Sequence, residues 1–506
     1  MKFLSKSLSV INSLINKGLL VLIFSVMLLT AETIDIKAQP NLKQEIEKEV
    51  LEMQKVYNVP GVSVAVVKDN KIILSRGFGF SNIEQKVPFD ENTFGRLASA
   101  TKFFTGLAFL KMAEEGIIDP NAPLKNYLTN IPADWKNIPL WRLMNHTSGI
   151  PTTENTVFEK MTDEQQRKIS ERDLFEMIDK SPLDYQPGEK WRYQQTGFVI
   201  LAMIIEEKTG KSWQQILQES IFEPAAMFNT QQNDLVKYPA EIVPKNYEFK
   251  NAKFINSPFF FPVVMSTGAG YNTTARDMTS LFLALNNDRI VPLKFLKDEV
   301  FNKEYMYPLG NNASYSISSE VKTFGNFLTI GHSGGPDIAN IRYSPDGKLG
   351  VAVLANRNTT GISEDLTNRI FNRILLQIPF DKQRQSIVYS IKKNIAKSSY
   401  EQLTAFFDRA KLNKAAYDFS SGGESDINAL GYVLLNENRL KDAIKIFRLN
   451  VREFPLSANV YDSLAEAYED DGNRDLAIQN YRRSVELNSK NTNAVEHLKK
   501  LDPNYK

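Results

Sequence analysis

The strand-forming segments of this chain fall into two groups that lie far apart in the sequence. Residues 62–67 and 72–77 are rich in β-branched side chains and flank a short polar turn, which predicts a β-hairpin. Three more strands, at 326–330, 338–343 and Leu349–Ala355, are joined by turn residues. We therefore expect one sheet that begins near residue 62 and is completed near residue 355.

The sequence between the two groups has the periodicity of helices, and Leu42–Tyr57 ahead of them is amphipathic. Further helices are predicted at 141–145, Thr196–Thr209, 212–222, 275–287 and 364–376. The predicted fold is an α/β sandwich, an antiparallel sheet flanked by helices, with an inserted all-helical lobe. A ligand site is expected where the two lobes meet.

Ser99 and Lys102 lie at the start of an apolar helical run, residues 103–116. Positions three apart share a helix face, so the lysine amine can reach the serine hydroxyl. A serine is a poor nucleophile without such a base, and a helix N-terminus favours an oxyanion. The same Ser-x-x-Lys spacing recurs at residues 319–322 and 390–393, so a helix-start serine beside a solvated lysine is the alternative.

Composition excludes several classes of site. The chain has no cysteine, which rules out disulfides and thiolate metal sites, and only three histidines, so we expect no metal and no cofactor. Its 61 basic and 59 acidic residues give no field that would indicate a nucleic-acid partner.

The N-terminus has the organisation of a secretory signal. Basic residues precede an apolar run at 18–29, and small residues follow at Ala31 and Ala38. The apolar run is short for a membrane span. Residues 1–38 are predicted to be a signal peptide or a membrane anchor, so the protein is expected to be exported, either periplasmic or attached to the outer face of the membrane.

Five segments in order carry a family resemblance: residues 99–102, 143–149, 191–197, 266–270 and 332–334. Together they resemble the motifs of the serine β-lactamase and penicillin-binding protein superfamily. Within it the chain is similar to the class C β-lactamase-like branch, which also contains D-alanyl-D-alanine carboxypeptidases, D-amino-acid peptidases and esterases. The resemblance covers roughly residues 40–378, and a hydrolase domain is predicted over residues 39–380.

The resemblance implies roles for four catalytic residues. Ser99 would be the acylated nucleophile and Lys102 its helper, while Tyr193 would shuttle the proton between the serine and the leaving group. His332 stands where β-lactamases of this branch usually have lysine. It would hydrogen-bond the tyrosine or the substrate and add positive potential.

Three further positions are implied to contact substrate: Gln195, Gly334 and Gly335. The backbone N–H of Gly335 would join that of Ser99 in stabilising the oxyanion. Gln195 departs from the family's usual Tyr-x-Asn motif, because its amide is one methylene longer.

Gln195 and His332 together favour small esters and short peptides or amides, including ones with D-residues, as substrates over β-lactams. The chain is therefore expected to be an esterase or a D-amino-acid peptidase or carboxypeptidase-like enzyme. A true β-lactamase or penicillin-binding protein is the alternative. With a reference pKa of about 6.5, His332 is expected to be mostly neutral at pH 7.5, so that carboxylate binding strengthens as pH falls. His146 is interpreted as a residue that holds its loop.

Residues 331–335 also match the Gly-x-Ser-x-Gly nucleophile elbow of α/β-hydrolases, which would make Ser333 the nucleophile. That motif needs a following helix and a later histidine. The residues after it look extended, and the only later histidine is His497. The match is therefore interpreted as accidental.

The C-terminal region, residues 424–506, contains apolar and small residues that recur 34 positions apart. This period resembles tetratricopeptide repeats, here two repeats and a capping helix.

Residues 381–423 are predicted to be a helical linker: a basic connector over 382–397, then the helix Tyr400–Leu412 packed beneath the repeats. The repeats would bind a peptide or protein partner or steady the hydrolase. A chain that only binds, with an inactive hydrolase domain, is disfavoured because Ser99, Lys102 and Tyr193 are all present.

Overall fold

The computed structural model describes residues 41–152, 161–232, 243–257, 263–310, 312–358, 361–419, 422–502 and 505. The chain divides into two compact units, Met1–Glu45 and Ile46–Lys506, and only residues 41–45 of the first are described. The predicted signal or anchor segment, residues 1–38, lies outside the described residues. Within the described ranges, no helix is long and apolar enough to cross a bilayer.

A nine-stranded antiparallel sheet forms the centre of the larger unit, with strand order β3-β2-β1-β14-β13-β12-β11-β10-β9. Its strands are β1 Gly61–Lys68, β2 Lys71–Asn82, β3 Val87–Pro88, β9 Tyr307–Gly310, β10 Ala313–Ser316, β11 Ser319–Phe324, β12 Phe327–Gly334, β13 Ala339–Ser344 and β14 Leu349–Ala355. The labels β4 to β8 are used for short strands outside this sheet, which are described below.

The two ends of the hydrolase region meet in this sheet. β1 pairs with β14 so that Val62 faces Ala355 and Val64 faces Val353. Both strands are buried along nearly their whole length, because helices cover both faces of the sheet. The predicted sheet, begun near residue 62 and completed near residue 355, is confirmed.

Helices pack on both faces of the sheet. On one face lie α1 Leu42–Tyr57, whose buried side chains recur at helical spacing, and α11 Ile362–Leu375. The other face is covered by α2 Thr101–Glu114 and α9 Ala275–Asn286. Ala65 of β1 belongs to the same buried cluster as the aromatic residues of α2.

Helices dominate the inserted segment, as the sequence predicted. They are α3 Trp141–Met144, α4 Asp163–Lys168, α5 Glu171–Glu176, α6 Thr196–Thr209, α7 Trp213–Leu217, α8 Glu223–Ala225 and, before β9, α10 Leu293–Val300. Gly210 ends α6 in the left-handed conformation, at φ 68°, as a C-terminal cap.

Two small antiparallel sheets that the sequence did not predict accompany these helices. Their strands are β4 Gly95–Arg96, β5 Gln231–Gln232 and β8 Tyr271–Thr273 in one sheet, and β6 Tyr247–Lys250 and β7 Lys253–Asn256 in the other. Strands of two to four residues are too short to give a readable alternation of apolar and polar side chains.

Seven helices follow α11 in the part of the chain that is described. They are α12 Ile387–Asn394, α13 Tyr400–Leu412, α14 Glu424–Asn436, α15 Leu440–Glu453, α16 Ala458–Asp470, α17 Arg474–Leu487 and α18 Thr492–Leu501, with a short strand pair, β15 Gln385–Ser386 and β16 Tyr417–Asp418, beside them. The pairs α14–α15 and α16–α17 start 34 residues apart. Their assignment as tetratricopeptide repeats stays a prediction.

The segment predicted to be a basic connector, residues 382–397, includes a helix. It contains α12, whose Ile387 and Ile391 are buried in one cluster with Leu403 of α13 and Ile427 of α14. Because the segment is short and contains several lysines, its apolar helix face could not be recognised from the sequence. The proposed division of the chain at residues 380 and 424 stays a prediction.

Candidate active site

Ser99 lies in a 3-10 turn, Ala98–Ala100, that runs directly into α2 at Thr101. The sequence placed Ser99 in the first turn of the helix; the structure places it just before the helix and puts Lys102 in the first turn. Ala98 has φ 44°, a conformation that residues with a Cβ rarely adopt, so the backbone of this turn is strained. Ser99 is half-buried.

Lys102 is fully buried and joins three distant parts of the chain. Its Nζ donates to Oε1 of Gln195 at 2.6 Å and to the carbonyl oxygen of Gly268 at 2.8 Å. The same Nζ lies 4.7 Å from the centre of the Tyr193 ring. The lysine, the second motif and the segment before α9 therefore converge, as the order of motifs in the sequence implied.

Gly268 makes room for this arrangement. A Cβ at this position would lie 2.0 Å from Oε1 of Gln195 and 3.2 Å from Nζ of Lys102. The glutamine, which is longer than the family's usual asparagine, reaches the lysine because residue 268 has no side chain. The sequence analysis identified the segment 266–270 but not this glycine.

Tyr193 precedes α6 and is 37% exposed, the most accessible large side chain of the group. Its ring centre lies 4.5 Å from that of His146 and 6.1 Å from that of His332. The phenol is thus accessible to a ligand on one side and packed over the buried lysine on the other. This placement suits the proton-shuttling role that the resemblance implies.

His332 lies in β12 and is 3% exposed. Its Nδ1 lies 2.6 Å from the carbonyl oxygen of Ser333, and its Nε2 lies 3.0 Å from the hydroxyl of Tyr315. Burial lowers the pKa of His332 to about 4; nearby Glu320 acts in the opposite direction. The lowered pKa agrees with the expectation that His332 is neutral at pH 7.5, and it moves the onset of charging below the reference pKa of about 6.5, which describes a solvated imidazole. The expected strengthening of carboxylate binding as pH falls stays a prediction.

Gly334 lies where β12 approaches the Ser99 turn. A Cβ on Gly334 would lie 2.1 Å from the carbonyl oxygen of Leu97, so only glycine permits this contact. At Gly335 no described atom lies within 4 Å of the Cβ position, so this residue borders open space beside the end of the strand. Gly334 thus adjoins the serine turn, and Gly335 is the next residue in the chain. The substrate-binding roles that the resemblance implies for both glycines stay a prediction.

Ser333 does not lie in a nucleophile elbow. Residues 331–334 are part of β12, and a turn followed by β13 comes next instead of a helix. The Oγ of Ser333 donates to Oε1 of Glu320 at 3.0 Å. The α/β-hydrolase interpretation is thus without structural support.

Two further residues of the site, Tyr315 and Glu320, were not among the residues predicted from the sequence. Tyr315 lies on the four-residue strand β10 and matches no motif. Glu320 lies within 319–322, one of the recurring Ser-x-x-Lys segments, and contacts Arg342 at 3.0 Å and Lys322 at 3.5 Å. Burial raises the pKa of Glu320, but Lys322, Arg342 and His332 outweigh it and hold that pKa well below the usual range.

His146, interpreted from sequence as a loop-holding residue, is fully buried, with φ 65°. Its carbonyl oxygen accepts from the backbone N–H of Arg192, and its Nδ1 accepts from that of Gln194 at 3.4 Å. Burial, with Lys102 and His332 nearby, holds its pKa well below the ordinary value.

Among the described side chains, no group of three or more His, Asp and Glu is placed to hold a metal ion.

A half-buried serine just before a helix, a buried lysine and a tyrosine packed over that lysine are the kinds of group that a serine hydrolase uses. The chain belongs to the β-lactamase family: the family model described as Beta-lactamase matches residues 46–372. The match ends within α11, before the C-terminal helices.

Individual proteins are also similar to this chain. Protein flp of Staphylococcus aureus (strain N315) is 26% identical over 343 residues, which are 65% of this chain and 67% of that protein. The octameric penicillin-binding protein homologue from Pyrococcus abyssi superposes with a TM-score of 0.57 at 23% identity, covering 67% of this chain and 78% of the other. The D-amino acid amidase from Ochrobactrum anthropi SV3 gives a TM-score of 0.56 at 20% identity, covering 68% and 100%. The two solved structures share the fold.

Proposed function

We propose that this serine hydrolase forms an acyl-enzyme on Ser99 and cleaves small esters or short peptides and amides. The observation that carries the proposal is the position of Lys102, bonded to Gln195 and to the carbonyl of Gly268 beneath the ring of Tyr193. A lysine with a purely structural role would not need an accessible phenol packed over its amine.

The proposed reaction has two halves. The Oγ of Ser99 attacks the substrate carbonyl carbon while its proton passes to the Lys102–Tyr193 pair, and the N–H groups of Ser99 and Gly335 stabilise the oxyanion. The bond to the leaving group then breaks, and Tyr193 returns the proton to the departing amine or alcohol. Water attacks the acyl ester by the same route in reverse, releasing the acid and restoring Ser99.

Two features support esters and amides over β-lactams. His332 is buried in a region where the family's β-lactamases usually place a charged lysine, and Gln195 holds Lys102 with a longer amide than usual. One structural neighbour is a D-amino acid amidase, which suggests D-residues in the substrate. A penicillin-binding role is the second candidate function, because another structural neighbour is described as a penicillin-binding protein homologue.

Active-site labelling tests the nucleophile. The wild-type chain, Ser99→Ala and Ser333→Ala would be treated with a fluorophosphonate probe, and the adduct located by peptide mapping. We expect label on Ser99, no label in Ser99→Ala and unchanged labelling in Ser333→Ala. An adduct on Ser333 would overturn the mechanism, and the absence of any adduct or turnover would support a chain that only binds.

A parallel substrate screen tests the chemical class. Nitrocefin, p-nitrophenyl esters of increasing chain length, and D- and L-aminoacyl amides would be compared by kcat/KM. We expect esters and D-aminoacyl amides to be hydrolysed best. Efficient turnover of nitrocefin with poor turnover of the others would instead establish the β-lactamase alternative.

Export and the role of the C-terminal helices are also proposals. The basic and apolar N-terminal pattern supports export, and N-terminal sequencing of the mature chain tests it; a start at Met1 in a cytosolic fraction would contradict it.

The two helix pairs offer a surface for a peptide or protein partner. Glu437, which bonds Lys392 and lies 3.6 Å from Arg357, supports the alternative that they steady the hydrolase.

A further inference from the structure

The proposed reaction leaves unused a buried pair of side chains beneath Tyr193. Tyr315 on β10 is 1% exposed, and its hydroxyl lies 3.0 Å from Nε2 of His332 on β12. The two rings meet edge to face, with centres 5.7 Å apart. The other nitrogen of His332, Nδ1, lies 2.6 Å from the carbonyl oxygen of Ser333.

These two contacts determine where the proton of a neutral imidazole lies. A backbone carbonyl can only accept a hydrogen bond, so Nδ1 of His332 must carry the proton and donate to Ser333. In the neutral ring Nε2 is then a lone-pair acceptor, and the hydroxyl of Tyr315 donates to it. Both nitrogens are thereby occupied by the protein.

A protonated His332, an imidazolium, could also make both contacts. The surrounding charges therefore decide whether the ring is neutral or protonated. The titratable groups that face the ring are Lys102 on α2, His146 after α3, Tyr193 before α6, Tyr315 on β10, Glu320 on β11 and Arg342 on β13. Of these groups only Glu320 is an anion, and it already contacts Arg342, Lys322 and the hydroxyl of Ser333. The charges around His332 therefore leave no surplus negative charge to hold an imidazolium, in agreement with the depressed pKa of this histidine.

We infer that Tyr315 is a positioning residue that holds His332 as a neutral imidazole with the proton on Nδ1, and that this pair makes the site select uncharged amides and esters over substrates that carry a carboxylate. The inference rests on the proposed function and narrows its substrate class. A carboxylate brought against a neutral, fully bonded histidine loses its hydration without gaining a counter-charge. Carboxypeptidase-like substrates, which end in a free carboxylate, are thus disfavoured.

The tautomer can be measured without turnover. The chain has three histidines, so ¹⁵N-histidine labelling gives three ring systems, and the His332 signals are identified by their loss in His332→Gln. We expect the Nδ1–H tautomer, unchanged from pH 5.5 to 8. In Tyr315→Phe the ring should lose this single tautomer, whereas Tyr305→Phe is the control, because the hydroxyl of the buried Tyr305 donates to the exposed Asn121 and not to His332.

Two results would overturn the positioning role. One is a His332 signal that titrates near pH 6.5 in the wild-type chain, and the other is an unchanged tautomer in a folded Tyr315→Phe. Should Tyr315→Phe fail to fold, the pH series on the wild-type chain still decides whether His332 is neutral and fixed.

Selectivity is tested with a matched pair of ligands, an N-acetylated D-alanyl dipeptide with a free carboxylate and the same dipeptide with a carboxamide. Binding is measured by calorimetry on Ser99→Ala, which separates recognition from chemistry. We expect the carboxamide to bind at least about fivefold more tightly, with a ratio that is nearly constant from pH 5.5 to 8. His332→Lys should shift the ratio toward the carboxylate.

The two proposals fail separately. Tighter binding of the carboxylate form, increasing as pH falls, would overturn the inference even if Ser99 is the nucleophile. Absence of Ser99-dependent hydrolysis of both dipeptides and of the simple esters by the wild-type chain would overturn the proposed function. The binding ratio and the tautomer would remain measurable and would still test the inference.

Discussion

Gly268 fixes the candidate base, Lys102, through its backbone and through its lack of a side chain. We expect Gly268→Ala to lower kcat by about tenfold or more, because its Cβ would push Oε1 of Gln195 away from the amine, and a small misplacement of a catalytic group is costly. Steady-state kinetics with a p-nitrophenyl ester measure this. Gly423→Ala is the control, since its Cβ would make only an ordinary contact, at 3.5 Å from Asp426. Equal activity of both variants would contradict the role given to Gly268.

Tyr193 carries the second prediction at this scale. Tyr193→Phe removes only the hydroxyl, and we expect kcat to fall by about a hundred- to ten-thousand-fold while KM changes little, because proton transfer is lost and the ring contacts remain. The ring is 37% exposed, so the melting temperature should change little. A drop in stability with normal activity of the folded fraction would assign Tyr193 a purely structural role.

The residues that the sequence identified are those that belong to motifs. Ser99, Lys102 and Tyr193 have characteristic neighbours along the chain. The structure places the ring of Tyr193 over the amine of Lys102, and Ser99 lies in the turn that leads into the lysine's helix. Tyr315 and Gly268 could not be found in this way, because each acts through a partner that is distant in sequence. Tyr315 bonds to His332, and the carbonyl oxygen of Gly268 accepts from Lys102. How far the pKa of His332 is lowered could not be predicted for a related reason: its burial depends on the packing of several strands.

At the scale of elements, long segments with clear periodicity were predicted best. α1, α6 and β14 have the predicted bounds, because each has an uninterrupted apolar pattern and clear ends. Residues 331–334 were expected at the end of a strand, yet they continue β12. Two of those four residues are glycines, which weaken a strand pattern, and here β13 and the backbone at Leu97 leave no room for side chains.

The junction of α12 with α14 supplies a prediction about stability. Glu437, just after α14, is bonded to Lys392 at 3.1 Å and lies 3.6 Å from Arg357, and all three side chains are at least nine-tenths buried. Glu437→Gln would leave two buried cations without their counter-charge, so we expect the free energy of unfolding to fall by about 3–5 kcal/mol. Urea denaturation measures the change.

The control for Glu437 is an exposed pair. Lys294 and Asp298 are mostly exposed and one helical turn apart, so Asp298→Asn should cost less than about 1 kcal/mol. If the two variants lose similar amounts of stability, the buried junction does not tie the C-terminal helices to the hydrolase region.

On the scale of the whole molecule, the family match and the compact unit have different extents. The match covers residues 46–372, whereas the compact unit runs from Ile46 to Lys506. The sequence predicted separate regions because motifs and repeats are local signals. Contacts that join the regions, such as those of Glu437 with Arg357 and Lys392, are made between residues distant in sequence and leave no pattern in the sequence.

A cavity of about 380 Å³ lies where these regions meet, lined by Asp365 of α11, Tyr57 of α1 and Asp426 of α14 among others. The hydroxyl of Tyr57 donates to the carboxyl group of Asp365. Burial raises the pKa of Asp365 to about 7, with Glu364 and Asp337 adding to the effect and the bond from Tyr57 opposing it. The folded state therefore holds a proton on Asp365 at pH values where the unfolded chain does not.

This difference predicts how stability depends on pH. Because the folded pKa of Asp365 lies above the unfolded value, the stabilisation is fully present below the unfolded pKa and is lost as pH rises through about 7. Asp365→Asn cannot titrate. We expect the wild-type chain to lose about 2–3 kcal/mol more than this variant between pH 5 and pH 8, as measured by urea denaturation at both pH values. Parallel behaviour of the two proteins would mean that Asp365 is already ionised at pH 5 in the folded state and would contradict its placement in a poorly solvated cavity.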